Sequence, residues 1–228
     1  MANAFNNARN ILVGAAPLYI SVKDSTDVAY TENMLESGAI ALAPRTSART
    51  TLDAATDKFR NVGYTNNGLQ ITYNPTYDSV TVDQLLDTAK LFKSAMEVMI
   101  ATEMTEGTLE NVLVVFGQGT STKTGSLTKG VTASADTSET LGLEAGALGV
   151  QPTERQLFAV GAAPTIDSAS AFITSERVYY ARRVLSVQQS QFSLARNTPT
   201  TFPVTFRLLP DANYSGSEYG KIIDRVLG

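Results

Sequence analysis

Phe202-Pro203-Val204-Thr205-Phe206-Arg207-Leu208 places an apolar side chain on every second residue. Period two over seven residues is the signature of a half-buried strand in an antiparallel sheet. The same pattern recurs upstream, where Leu69, Ile71 and Tyr73 alternate with Gln70 and Thr72. From Lys90 to Thr102 the even positions carry Phe92, Met96, Val98 and Ile100, while Lys93, Glu97 and the following Glu103 occupy odd ones. A one-residue slip would bury those charges, so the register is well specified. Further strands are expected at 18–23, 155–161 and along 176–192, where the adjacent pair Arg182-Arg183 breaks the alternation and points to a bulge or bend. The expected fold is mainly β, an antiparallel sandwich or barrel.

One segment departs from this pattern. Thr105-Glu106-Gly107-Thr108 supplies N-cap hydroxyls and an early acid, Leu109, Val112, Leu113 and Phe116 follow at helical spacing, and Gly117 ends the run. A packed helix is expected over 107–116, with a strand as the alternative because Val114 and Val115 are β-branched. Residues 35–58, 117–140 and 193–201 are rich in Ser, Thr, Ala, Gly or Pro and read as connections. Loops of the length of the first two are uncommon in a compact domain unless a partner orders them, so 35–58 and 117–140 are expected to be assembly contacts. With no internal repeat, residues 1–228 read as one domain with an N-terminal arm over about 1–10 and a C-terminal arm over about 210–228.

Composition removes several chemistries. The 228 residues include no His and no Cys, so imidazole bases, thiolate nucleophiles, disulfides and the usual zinc, copper and haem ligands are all lacking. Twenty-two acids against 18 bases give a net charge of −4, which offers no global attraction to a polyanion. The apolar stretch Ile11 to Val22 is about half of what a membrane helix needs and contains Pro17, so no bilayer span is expected. It imitates a signal-peptide core, but Arg9 is the single basic residue ahead of it and a strand over 18–23 is the more natural reading.

The catalytic-looking motifs have plainer readings. Gly117-Gln118-Gly119-Thr120-Ser121-Thr122-Lys123-Thr124 lacks the two glycines a phosphate-cradling loop needs, since Gln118 and Thr122 stand in their places. Glu103, Glu106 and Glu110 fall at spacings that share a helical face, as a metal site or acid/base pair would require, but acids near a helix N-terminus are explained by the macrodipole. Tyr179-Tyr180 and Arg182-Arg183 suggest an aromatic and basic patch, yet alternation along a strand divides them between two faces. A carboxylate enzyme of the glycosidase type would usually carry tryptophan for sugar stacking, and there is none. No catalytic residue, cofactor or metal is therefore expected.

Charge is unevenly spread. Arg177 to Arg207 holds five arginines and no acid, whereas Asp83 to Glu110 holds six acids against Lys90 and Lys93. Such opposition serves compensation within one chain or head-to-tail contact between copies. On the second reading Arg177, Arg182, Arg183, Glu103, Glu106 and Glu110 are the subunit-interface candidates.

Asn61-Val62-Gly63-Tyr64-Thr65-Asn66-Asn67-Gly68, Val82-Asp83-Gln84, the strand 90–103, Thr105-Glu106-Gly107-Thr108-Leu109-Glu110-Asn111 and the C-terminal Phe202 to Asp211 resemble, in this order, the tail tube (major tail) proteins of long-tailed bacteriophages. The matching stretches cover about half of the chain, and no catalytic signature anchors them. The resemblance implies a β-sandwich or barrel-like subunit with one helix, assembled as a homo-oligomer in hexameric rings that stack into a virion tube. Its partners would be other tail proteins, namely a terminator, a baseplate or tip, a sheath where the tail contracts, and a tape measure in the lumen. DNA would pass without specific binding, no membrane would be involved, and assembly would take place in the host cytoplasm. The sheet holding 69–73 and 90–103 would line the lumen with its polar face, which alternation assigns to Gln70, Thr72, Lys93 and Glu97. The alternative class is a monomeric β-sandwich binding or adhesion module.

Overall fold

The computed structural model describes residues 14, 16–21, 59–84, 87–119, 123–124, 139–145, 148–149, 152–163, 174–188 and 190–227. The expected N-terminal arm and the loop 35–58 lie outside these residues, as does most of 117–140. Among the described residues the chain is mainly β with one short helix. The strands are β1 (Leu18–Ser21), β2 (Phe59–Asn61), β3 (Thr65–Thr81), β4 (Thr88–Met104), β5 (Lys123–Thr124), β6 (Thr140–Leu141), β7 (Arg155–Ala162), β8 (Thr174–Ser186), β9 (Phe202–Leu208) and β10 (Gly220–Leu227), with helix α1 (Leu109–Val115) after β4. Eight strands make one antiparallel sheet in the order β2-β1-β7-β8-β9-β4-β3, with β10 added on β8, while β5 and β6 pair separately.

Strand β8 organises the sheet. Its first part, 174–181, pairs with β10, and its last part, Val184 to Ser186, pairs with β9 on the same edge. The other edge pairs with β7 throughout, with a register shift that sets three steps from Ala181 to Val184 against two from Leu157 to Arg155. That bulge falls on Arg182-Arg183, where the sequence broke its alternation. It also reverses the faces: Val178 and Tyr180 belong to one apolar cluster, Ala181 and Val184 to the other. The strand stops at Ser186, short of the expected 192.

Alternation along β1, β7, β9 and the end of β4 delivers Leu18, Ile20, Leu157, Ala159, Phe206, Val98 and Ile100 to one core, which α1 closes with Leu113, Val114 and Val115. The opposite face of β1 and β7 is also buried, with Tyr19 stacked on Phe158 at 4.7 Å and Phe59 edge-on to Phe158 at 4.9 Å. Both strands are therefore buried on both faces, with Leu18 to Ile20 and Leu157 to Val160 apolar without alternation.

Helix α1 starts where its cap predicts: Thr108 accepts a hydrogen bond from the Asn111 backbone N–H. Asn111 is buried because its amide donates to the carbonyls of Val62 (2.9 Å) and Glu106 (2.8 Å) and accepts from Arg60 (2.7 Å), which bolts the helix to β2 and its following turn. Gly117, at φ +67°, ends the helix, with Gly117 and Gln118 N–H groups closing on Val114 and Leu113.

Strand β10 was not legible as a strand, and it occupies the expected C-terminal arm. It enters through Gly220 at φ +148°, where a Cβ would fall on the Tyr180 carbonyl, a fixed backbone group inside β8. Gly220→Ala is thus expected to detach β10, lowering unfolding stability by about 2–3 kcal/mol and removing hydrogen-exchange protection from 174–181. Unchanged protection there would contradict this role for the glycine.

Candidate assembly surfaces

Strands β3 and β4 are 17 residues each, about three times the usual length. The base of β4 pairs with β9 over Met99 to Met104 and buries one face, but beyond Met96 the hairpin leaves the body and is exposed on both faces. This distal arm carries large apolar side chains in water: Tyr77 is 56% exposed, Leu91 63% and Phe92 46%, and Tyr73 at its root is 66% exposed. Alternation marks 69–73 and 90–103 as strands but does not show the length of the hairpin they form.

Three irregularities set its faces. Between Asn66 and Gln70, β3 carries two extra residues, with Asn67 at φ +59° and Gly68 at φ +68°, and Thr102 donates from Oγ1 to the Gly68 carbonyl at 2.9 Å. Further out, Thr76 pairs with Ala95 but Tyr77 pairs with Lys93, which leaves Ser94 as a bulge, and a third shift follows Val80. On the core side the row therefore runs Ile71, Tyr73, Tyr77 on β3 and Ile100, Val98, Lys93, Leu91 on β4.

Lys93 is accordingly corrected. Gln70, Thr72 and Glu97 share the outer face of β3 and β4, opposite Ala101, Met99 and Asn74. Lys93 lies on the other face, with Nζ 5.9 Å from the Tyr73 ring centroid. Strict alternation fails because the Ser94 bulge adds one residue to β4 alone. Glu97 faces Arg207 of β9 at 3.8 Å, a long pair with both partners partly exposed.

The arginines proposed for the subunit interface are engaged inside the chain. Arg182 is 2% exposed; its Nε donates to the Ser217 carbonyl at 3.1 Å and its guanidinium stacks on Tyr214 at 3.7 Å. It is a buried element of the fold, which corrects its place among the interface candidates. Arg183 makes a bidentate pair with Glu154 at 2.6 and 2.7 Å and donates to the Pro210 carbonyl. The Glu154 pair holds the Arg183 guanidinium above its ordinary pKa. Arg177 pairs with Asp224 across β8 and β10 through two hydrogen bonds of 2.6 and 2.7 Å, which raise the arginine pKa and lower that of the carboxylate. The basic stretch thus meets acids of its own chain.

The three glutamates are not brought together. Glu103 accepts from Asn66 at 3.3 Å, Glu106 accepts from the Tyr64 N–H at 3.0 Å and lies against Gly63, and Glu110 sits in the first turn of α1 facing Arg60. Burial lowers the Arg60 pKa to about 10, with Glu110 opposing the shift and Arg155 adding to it. Among the described residues no three acids are grouped to hold a metal ion. Lys123 and Thr124 of the phosphate-loop look-alike form β5, paired with Leu141 and Thr140.

An apolar groove of about 240 Å³ lies at the arm's base, between Ile71 and Tyr73 on one side and Tyr179, Tyr219 and Ile222 on the other. Among the described residues no helix is long and apolar enough to cross a membrane. No protein-family model and no curated protein matches the sequence.

Proposed function

We propose that this chain is a tail tube (major tail) protein of a long-tailed bacteriophage, a non-enzymatic virion subunit that polymerises into stacked hexameric rings conducting DNA to the host. The observation that carries this reading is the β3–β4 arm, whose distal half exposes Tyr77, Leu91 and Phe92 with no core of its own. An isolated two-stranded hairpin is at best marginal in water, so an arm of this length calls for partners. The stretches that resemble the tail tube family include the arm, the approach to α1 and β9, which are neighbours in the sheet and helix. A net charge of −4 gives a ring of six roughly −24, which disfavours phosphate contact in a conduit that must release DNA.

In this setting the polar outer face of β3 and β4, with Gln70, Thr72 and Glu97, would line the channel, and tape measure, terminator and baseplate or tip proteins would be its partners. Negative-stain electron microscopy and sedimentation of the purified chain test the reading. Rings or rods are expected as concentration rises. A species of 24.3 kDa at every concentration would reject it in favour of a monomeric binding module.

A further inference from the structure

We infer that Asn67-Gly68, in the register shift at the root of the β3–β4 hairpin, is a self-modifying site that deamidates with water as its only co-reactant. The reaction takes place within the single subunit and does not depend on assembly. Asn67-Gly68 is the one Asn-Gly step in the sequence. The nucleophile in this reaction is the main-chain nitrogen of the following residue, and glycine alone leaves its approach uncrowded. Other asparagines among the described residues precede Val62, Asn67, Pro75, Val112, Thr198 and Tyr214, and Pro75 has no N–H to give up. Several are also held in place: Asn61 accepts from the Gly63 N–H, Asn66 donates to Glu103, Asn213 donates to Asp211, and Asn111 is buried.

Asn67 is placed differently. Asn67 and Gly68 pair with no residue of β4 and are exposed, so neither the ladder nor burial restrains their shared peptide. Their φ angles of +59° and +68° lie in the left-handed region, which asparagine and glycine enter at the least cost. Thr102 anchors the next carbonyl, that of Gly68, and a hollow of about 130 Å³ lined by Gln70, Glu103 and Thr205 leaves room for ring closure. In the reaction the Gly68 nitrogen gives its proton to hydroxide and attacks Cγ of Asn67. As the new N–Cγ bond closes a succinimide ring, the Cγ–Nδ2 bond breaks and ammonia leaves with a proton from water. Water then opens the ring at either carbonyl, leaving aspartate or, with the main chain running through Cγ, isoaspartate. One water is consumed and one ammonia released in each copy, and no electrons are exchanged. The new carboxylate is ionised at neutral pH and adds a negative charge near Glu103. In a tube as proposed above, that charge would collect on the face of Gln70, Thr72 and Glu97, and the change would run one way with the particle's age.

The full chain, incubated at neutral and alkaline pH, is followed by peptide mass mapping and by isoaspartyl methyltransferase labelling. Aspartate and isoaspartate are expected at position 67 before any other asparagine converts, at a rate that rises about tenfold per pH unit, as the ionised fraction of a very weak acid does. The folded chain and the urea-unfolded chain should convert there within a few-fold of each other, whereas Asn111, 1% exposed, converts only when unfolded. A Cβ at Gly68 would meet nothing within 4 Å, so Gly68→Ala is expected to fold and to convert several-fold more slowly. Should that variant not fold, the comparison of folded and unfolded native chain decides alone. Protection of position 67 by the fold, faster conversion at another asparagine of the folded chain, or a native rate in Gly68→Ala would each overturn the assignment.

Discussion

Arg182→Glu and Arg183→Glu are each expected to destabilise the folded subunit strongly, not merely to stop it associating. Glu154 is 4% exposed, and Arg183 covers it with two short hydrogen bonds. Putting a second carboxylate there leaves two like charges with little water between them. Breaking a buried pair by removing one partner costs about 3–5 kcal/mol, and the lower end applies here because the Arg183 side chain is 32% exposed; that is still a large share of the 5–15 kcal/mol that holds a domain together. Arg182→Glu loses its stacking on Tyr214 and its hydrogen bond to the Ser217 carbonyl, and places an acid in a site that is 2% exposed. For a chain of this length the loss corresponds to about 10 °C or more in Tm. Urea unfolding of the isolated subunit is the measurement. Joint replacement by Glu154→Leu and Arg183→Met should recover much of the loss, because it removes both charges and keeps apolar bulk. Abolished assembly with unchanged unfolding would mean instead that these arginines act between copies.

Much of the fold was readable from short-range pattern because the deciding forces are local. Thr108, Gly117 and the apolar spacing between them define α1 to within two residues of its observed ends, and tertiary burial of Val114 and Val115 outweighs their β-branched preference. The bulge at Arg182-Arg183 was visible because two polar residues stand together in an alternating run. The same rule applies to Leu91-Phe92, where two apolar residues adjoin near the Ser94 bulge, but their pairing with Ser79 and Asp78 depends on a partner strand that period counting does not consult. Lys93 changed face for that reason. Strand β10 escaped because Ile222-Ile223 and Val226-Leu227 form apolar doublets without alternation; its place is fixed by Arg177 and by the backbone of β8, 39 to 53 residues away in sequence. The role of the arginine-rich stretch was likewise hidden, since Glu154, Asp224 and Glu97 lie outside that stretch.

On the proposed tube reading, Gln70, Thr72 and Glu97 replaced together by lysine should convert an indifferent tube into one that holds DNA. Each position lies on the outer face of β3 and β4, where Gln70 and Thr72 are exposed and Glu97 is half-buried. Losing the 3.8 Å contact of Glu97 with Arg207 costs little, well under about 1 kcal/mol for so exposed a pair, so the subunit should fold and assemble. The electrostatic change is large by comparison. The three substitutions take the chain from −4 to neutral, and a six-membered ring from roughly −24 to about zero, with all of the change on one face. If that face lines the lumen, every ring gains a belt of ammonium groups, and Arg207, released from Glu97, joins it. DNA binding by assembled rods should then appear at low salt and fall with log-log slope of about −3 or steeper, because each neutralised phosphate releases close to one counterion. Salt dependence separates this from a packing effect, which added ions would barely move. The comparison that decides is between rods and dissociated subunits: if the lysine variant binds DNA only after the rods are taken apart, these three side chains are buried between copies, and the channel is lined by another face of the sheet.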